Sequence, residues 1–168
     1  AVSITMFLAL ASSASAIESI TMTSQIRKDF TVGITMTVTF SGPVTNFIYG
    51  FGVPISNLTA RSDFESDCRI VQRPVANEIS CDISNITQDN NILTLTLDAA
   101  ELVRSSGENY LYTITSGVPA AINRSFFRVK LPEGGAPATE TPNESYSPID
   151  GDVSSDGRHI VIFWQRNN

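Results

Sequence analysis

From residue 17 onward the chain alternates between apolar and polar positions. Phe30, Val32, Ile34, Met36, Val38 and Phe40 share one phase, and Thr31, Gly33, Thr35, Thr37 and Thr39 share the other. A period of two puts successive side chains on opposite faces of a strand, so this run predicts a strand with one dry and one wet face. Thr suits the wet face because its branched Cβ fits a pleat and its hydroxyl tolerates water. Ser41-Gly42-Pro43 breaks the run, and Phe47, Tyr49, Phe51 and Val53 alternate as the next strand. Gly50 and Gly52 lie in the opposite phase, which suggests a bulge or a close backbone approach.

Shorter runs follow at Cys68/Ile70, Ile79/Cys81/Ile83, Leu93/Leu95/Leu97, Tyr110/Tyr112/Ile114 and Phe127/Val129/Leu131. With a segment near Ile20 and a last one at 158–164, the pattern predicts about nine strands. Short strands separated by turn signals indicate an all-β fold, an antiparallel, immunoglobulin-like β-sandwich. One short helix is expected over 98–104, where Asp98 serves as N-cap, Glu101 stands at the third helical position and Gly107 follows the end.

Residues 1–16, AVSITMFLALASSASA, carry no charge. The apolar stretch is shorter than the roughly 20 residues that span a bilayer, and Ala14-Ser15-Ala16 matches a cleavage pattern. The segment reads as the remnant of a secretory signal peptide. The same residues also alternate, with Val2, Ile4, Met6, Leu8 and Leu10 in one phase. That suits a strand donated to a neighbour's sheet edge, hence self-association through residues 2–10 as in a pilus or filament subunit. Either reading places the protein outside the cytoplasm.

Residues 17–131 read as the sandwich, 132–151 as a Pro/Gly-rich loop, and 152–168 as the final strand of the same domain. That last strand is apolar on both faces, with Val161 and Phe163 against Ile160, Ile162 and Trp164, so it is expected inside the packed body. It ends without a turn, so truncation is expected, with room for a membrane anchor beyond residue 168.

Lys and Arg total 11 against 17 Asp and Glu, for a net charge of −6. Phosphate recognition needs a clustered cationic excess, so this balance argues against nucleic acid as a partner. A chain of this size buries roughly 70% of its unfolded surface and needs no metal for stability. With one His and two Cys, a His/Cys zinc site has at most three ligands. No cofactor, metal or catalytic residue is assigned.

Cys68 and Cys81 fall on the apolar phase of neighbouring strands, and pairing them leaves Gln72 to Asn77 as a six-residue hairpin loop. In an exported protein they form a disulfide, worth roughly 3 kcal/mol in the chain-entropy model. Asn57, Asn85, Asn123 and Asn143 head N-x-S/T sequons and are the glycosylation candidates.

Three features stay bland. Asp150, Asp152, Ser154 and Asp156 have the spacing of a calcium loop, but Ser155 and Val161 replace its Gly and Glu, so turns are the better reading. Asp156-Gly157 suits a tight hairpin before the last strand. His159 is the single histidine and stands at a strand start, so it is read as a partly buried strand residue. Glu65 and Asp67 read as part of a solvated acidic turn, and Trp164 as buried.

The stretch Phe127-Arg-Val-Lys-Leu131-Pro132-Glu133-Gly134, followed by Ser147-Pro148, Asp150-Gly151 and Ser154-Ser-Asp156-Gly-Arg158-His-Ile160-Val-Ile with Trp164, resembles exported β-sandwich domains of archaeal cell-surface and membrane-anchored proteins. Gly42-Pro43-Val44 and the cysteine pair fit the same layout. The resemblance implies a further strand and a transmembrane helix downstream, sometimes with a cytoplasmic helix-turn-helix domain, and carries over no catalytic residue. The expected function is therefore a non-enzymatic extracytoplasmic module for surface interaction or sensing, with a protein or a surface glycan as partner. The alternatives are the filament subunit and a carbohydrate-binding or enzyme-accessory domain.

Overall fold

The alternation over 32–40 becomes β2 (Val32–Phe40), in which every apolar residue is buried and each polar one is more exposed. β1 (Ile17–Ile26) pairs antiparallel with it, so that Met22 faces Met36 and Ile20 faces Val38. A computed structural model of the chain describes residues 17–106, 109–114, 116–117, 122–136, 151–155 and 157–167. The signal-peptide and donor-strand readings of residues 1–16 therefore lie outside the described residues, as does most of the Pro/Gly-rich loop.

The other edge of β1 takes β11 (Ile122–Lys130) in parallel, while every other pairing among the described residues is antiparallel. Beyond β2 come β7 (Ile92–Ala99) and β4 (Ile55–Ser62); beyond β11 come β13 (Ile160–Asn167) and β12 (Asp152–Ser155). The result is a seven-stranded sheet in the order β12-β13-β11-β1-β2-β7-β4. A four-stranded sheet holds β10 (Ser116–Gly117), β3 (Asn46–Phe51), β6 (Asn77–Ser84) and β5 (Glu65–Gln72) in that order. A hairpin of β8 (Val103–Ser106) and β9 (Asn109–Tyr112) stands apart.

The inner faces form one sandwich core. Ile34, Met36 and Leu95 come from the large sheet, and Phe47, Phe51, Ile79 and Cys81 from the small one. Phe40 joins the layers, meeting Phe47 edge-on with centroids 6.0 Å apart and Phe64 at 6.2 Å. Side chains of this size each contribute roughly 1.5–3 kcal/mol when withdrawn from water.

The all-β sandwich is as the alternation predicts, with four strands added to the nine expected. β4 is a polar edge strand broken by a bulge between Ser56 and Thr59, β12 is exposed throughout, and β10 is two residues long. None of these has an apolar phase long enough to read. The fourth, β8, takes up the end of what the sequence suggested was a helix.

That helix over 98–104 is not formed, and the described residues contain no helix at all. Asp98 stays on β7, where its carboxylate accepts hydrogen bonds from Arg27 at 2.7 Å and Asn57 at 2.8 Å. Ala99 pairs with both Val32 and Ile55, and Glu101 turns the chain with a φ of 62° before Leu102 is buried. Two turns of isolated helix are marginal in water, so two flanking ladders and an ion pair outweigh the local capping signal. Gly50 pairs with Glu78 and Gly117 in regular register, so of the two expectations for this face, a bulge or a close backbone approach, the bulge is not formed at Gly50.

Cys68 and Cys81 are direct cross-strand partners and are joined by a disulfide. The ladder continues to Gln72 opposite Asn77, so the turn is the four residues 73–76 rather than six. The Arg73 N–H closes it by donating to the Ala76 carbonyl at 2.9 Å.

One polar residue interrupts the dry face of β1: Ser24, only 2% exposed. The Tyr112 hydroxyl donates to its Oγ at 2.8 Å, so both groups are satisfied. Burial pushes the Tyr112 hydroxyl up to about 12 from its ordinary 10, with the Ser24 bond acting the other way. Between those values the unfolded chain loses this proton before the folded one does, so stability falls as pH rises through that window. The expected loss is roughly 2–3 kcal/mol. Tyr112→Phe should flatten the alkaline side of the stability profile while costing about 1–3 kcal/mol at neutral pH, because Ser24 then lacks its partner. Urea titrations at neutral and alkaline pH measure both effects. An unchanged alkaline slope in the variant would refute the assignment.

Candidate functional site

The wet face of the large sheet is laid out by register. One row runs Thr59, Thr96, Thr35, Thr23, each opposite the next across β4, β7, β2 and β1. The Thr59 and Thr96 hydroxyls share a hydrogen bond. Continuing across β11, β13 and β12, the same row reads Arg128, Phe163, Asp152. The row changes character there, from hydroxyls to charge and aromatic surface.

A groove of about 530 Å³ lies over that second half. Arg128, Phe163 and Asp152 line it from one row, and Lys130, Val161 and Ser154 from the next. The Arg128 guanidinium stands 5.3 Å from the Phe163 ring centroid. Phe126 is stacked with the same ring, with centroids 6.2 Å apart and planes within 12°. Arg128 forms no ion pair among the described residues, whereas Arg124 on the same face is paired with Glu18 at 2.6 Å.

A strand with apolar residues on both sides was expected to be enclosed on both sides. β13 does lie between β11 and β12, and Ile162 and Trp164 enter the core. Its opposite face, Val161 and Phe163, instead lines the groove. The signal was present in the sequence: Phe126 and Phe163 are large apolar residues in the wet phase of their strands, beside Arg128 and Lys130.

Gly151 seats β12 at one end of this groove. A Cβ at Gly151 would stand 2.6 Å from Nε1 of Trp164 and 2.7 Å from its Cε2, and that indole is buried in the core.

The other sequence candidates fall elsewhere. Leu131 N–H donates to the Ile160 carbonyl at 2.9 Å, so the Leu131-Pro132-Glu133-Gly134 segment lies beside the turn that leads to His159. His159 is half-buried just before β13. Lys28 reaches Glu133 at 3.0 Å and holds that carboxyl below its ordinary range, with a smaller contribution from the His159 charge. Glu65 and Asp67 belong to β5 rather than to a turn, and Glu65 accepts a hydrogen bond from Ser84 at 2.7 Å.

Of the calcium-like residues, Asp152 and Ser154 stand extended in β12, and Asp150 and Asp156 lie outside the described residues. An extended strand does not wrap one ion. Among the described residues no three His, Cys, Asp or Glu side chains converge as metal ligands. Gly157 has a φ of 87°, which fits the turn expected at Asp156-Gly157.

Asn57 and Asn85 adopt φ values of 54° and 61°, the left-handed region that Asn tolerates better than most residues. Asn57 sits in the β4 bulge, and its amide supports Asp98, whose carboxyl is held low by this bond and by Arg27. Asn123 is exposed on β11, and Asn143 lies outside the described residues.

No protein-family model matches the chain, and no curated protein matches it. Solved structures resemble it in fold. A structure described as a candidate protease from Parabacteroides distasonis has a TM-score of 0.50 at 9% identity, over 94% of this chain and 36% of that one. A leukotriene A4 hydrolase of yeast with bestatin bound has a TM-score of 0.48 at 10% identity, over 88% of this chain and 26% of its own. A zinc metallopeptidase of the M1 class from Deinococcus radiodurans has 0.46 at 9%, over 90% and 39%. The chain thus spans well under half the length of these proteins, and the likeness is one of fold alone.

Gly151→Ala tests how the groove is built. The added methyl must displace the buried Trp164 indole or lift β12 from β13, so a loss of about 1–3 kcal/mol is expected. The Trp164 fluorescence maximum should shift with it. A variant as stable as the parent, with unchanged emission, would show that β12 is not seated this way.

Proposed function

We propose that this chain is a non-enzymatic extracytoplasmic module that works by surface interaction, carried within a larger membrane-anchored protein. The groove on the wet face of the large sheet is the observation that carries this reading. It gathers cation, aromatic and hydroxyl groups from four strands at fixed spacing, as a recognition surface does. The Cys68–Cys81 disulfide supports the location, because such bonds persist in oxidising compartments. The resemblance of its last third to archaeal cell-surface domains points the same way. A half-buried His159 just before β13, in the electrostatic range of Glu133, supports a structural role for it.

Two measurements check this. A tryptic map of the protein from its native source, taken without reductant, should give residues 62–69 linked to residues 70–104 through the cysteine pair. Free thiols at both positions would overturn the extracytoplasmic reading. A hydrolase screen should give no turnover that His159→Ala removes; turnover lost in that variant would overturn the non-enzymatic one.

A further inference from the structure

We infer that the groove over β11, β13 and β12 is a binding site for an acidic carbohydrate, one whose sugar rings carry carboxylate or sulfate groups. This rests on the surface-interaction reading above and names its ligand class.

Charge comes first. The chain carries a net −6, so an anion approaching it at random meets repulsion. On this face, however, β11 presents Arg128 and Lys130 two residues apart, both into the groove. Arg128 is held over Phe163 and forms no ion pair among the described residues, so its donor fork remains available to a planar or tetrahedral anion. Arg27, Lys28, Arg69, Arg73 and Arg124 are by contrast each committed to a carboxylate, and Lys130 has a partner of its own, so the available donor is Arg128.

The remaining lining distinguishes a sugar from a simple anion. Phe163 and Val161 offer apolar surface to the C–H face of a ring, and Phe126 extends it beyond the groove. Asp152 accepts hydrogen bonds from hydroxyl groups, which an anion-only site would exclude by repulsion. Ser154 and Thr23 both donate and accept. From Phe126 to Lys130 the strip runs four strand residues, roughly 13 Å, which suits an extended chain of rings.

An acidic peptide is the less suitable occupant. Peptides added to a sheet use an open edge for main-chain hydrogen bonds, and both β11 and β13 already have partners on each side. The one open edge beside the groove is that of β12, so over Arg128 and Phe163 a ligand meets side chains alone.

Calorimetric titration of the whole chain tests this with four probes: oligogalacturonate, a heparin hexasaccharide, neutral cellohexaose and polyglutamate. The expected result is that at least one acidic oligosaccharide binds about tenfold or more tightly than cellohexaose and polyglutamate. Which of the two binds better reports carboxylate or sulfate preference. Arg128→Gln and Phe163→Leu should each weaken that binding about tenfold or more, while Arg61→Gln, on the same sheet face beyond the groove, should leave it within about twofold. Matching thermal melts establish that each variant is folded.

Equal binding of polyglutamate would overturn the inference in favour of a generic polyanion effect, and equal binding of cellohexaose would remove the role of charge. Binding insensitive to both groove substitutions would place the site elsewhere. Failure of both acidic sugars refutes the ligand class while leaving the surface-module reading to the peptide map and the turnover screen.

Discussion

The structure depends on β1 keeping its phase against two neighbours at once. It pairs antiparallel with β2 and parallel with β11, so the N-terminal half and the C-terminal third of the large sheet are both registered from it. Because strand side chains alternate, a slip of one residue would send Ile20 and Met22 into water and Thr21 and Thr23 into the core. The bulge between Ile17 and Ser19 absorbs the irregularity at the start of the strand. From Ser19 onward the phase is uninterrupted. Both the Phe40-centred core and the outer groove follow from that phase, one on each face of the same strands.

Ser24 shows what the constraint costs and how the cost is met. A hydroxyl on the dry face of β1 would ordinarily weaken the strand, and Tyr112 answers it from the β8–β9 hairpin. That hairpin is therefore tied to the sandwich by a buried polar contact as well as by Leu102 and Ile114. The segment suggested as a helix is recruited to the same task. Asp98 holds Arg27 and Asn57 on the outer surface, while Ala99 and Leu102 stay inside.

Strands with a long apolar phase were legible in the sequence because burial of one face dictates their period. β2, β7, β6 and the pairing of Cys68 with Cys81 all follow from that rule. β4, β10 and β12 were not legible, since edge strands draw their stability from a neighbour's backbone and leave no pattern of their own. The short helix was misread because its cap and its acidic third residue are local signals, whereas the ladder partners Val32 and Ile55 lie far away in sequence. The groove was half legible. Phe126 and Phe163 were visible as apolar residues out of phase, but only the order β12-β13-β11-β1 brings Asp152 and Thr23 to the same row.

The left-handed asparagines bear on how sequon occupancy at this surface could be dissected. At Asn57 the amide supports Asp98 and the backbone turns through a bulge, so exchange for Gln, whose longer side chain lacks Asn's tolerance of that conformation, would alter folding as well as any glycan. The third position of the sequon is also engaged, because Thr59 shares a hydrogen bond with Thr96. Replacing Thr59 by Ser keeps both the acceptor motif and that hydroxyl, whereas Ala removes the two together. Gly at Asn85 removes its motif without opposing the backbone. Each sequon thus calls for its own genetic lesion, chosen by backbone geometry rather than by the customary Asn-to-Gln exchange.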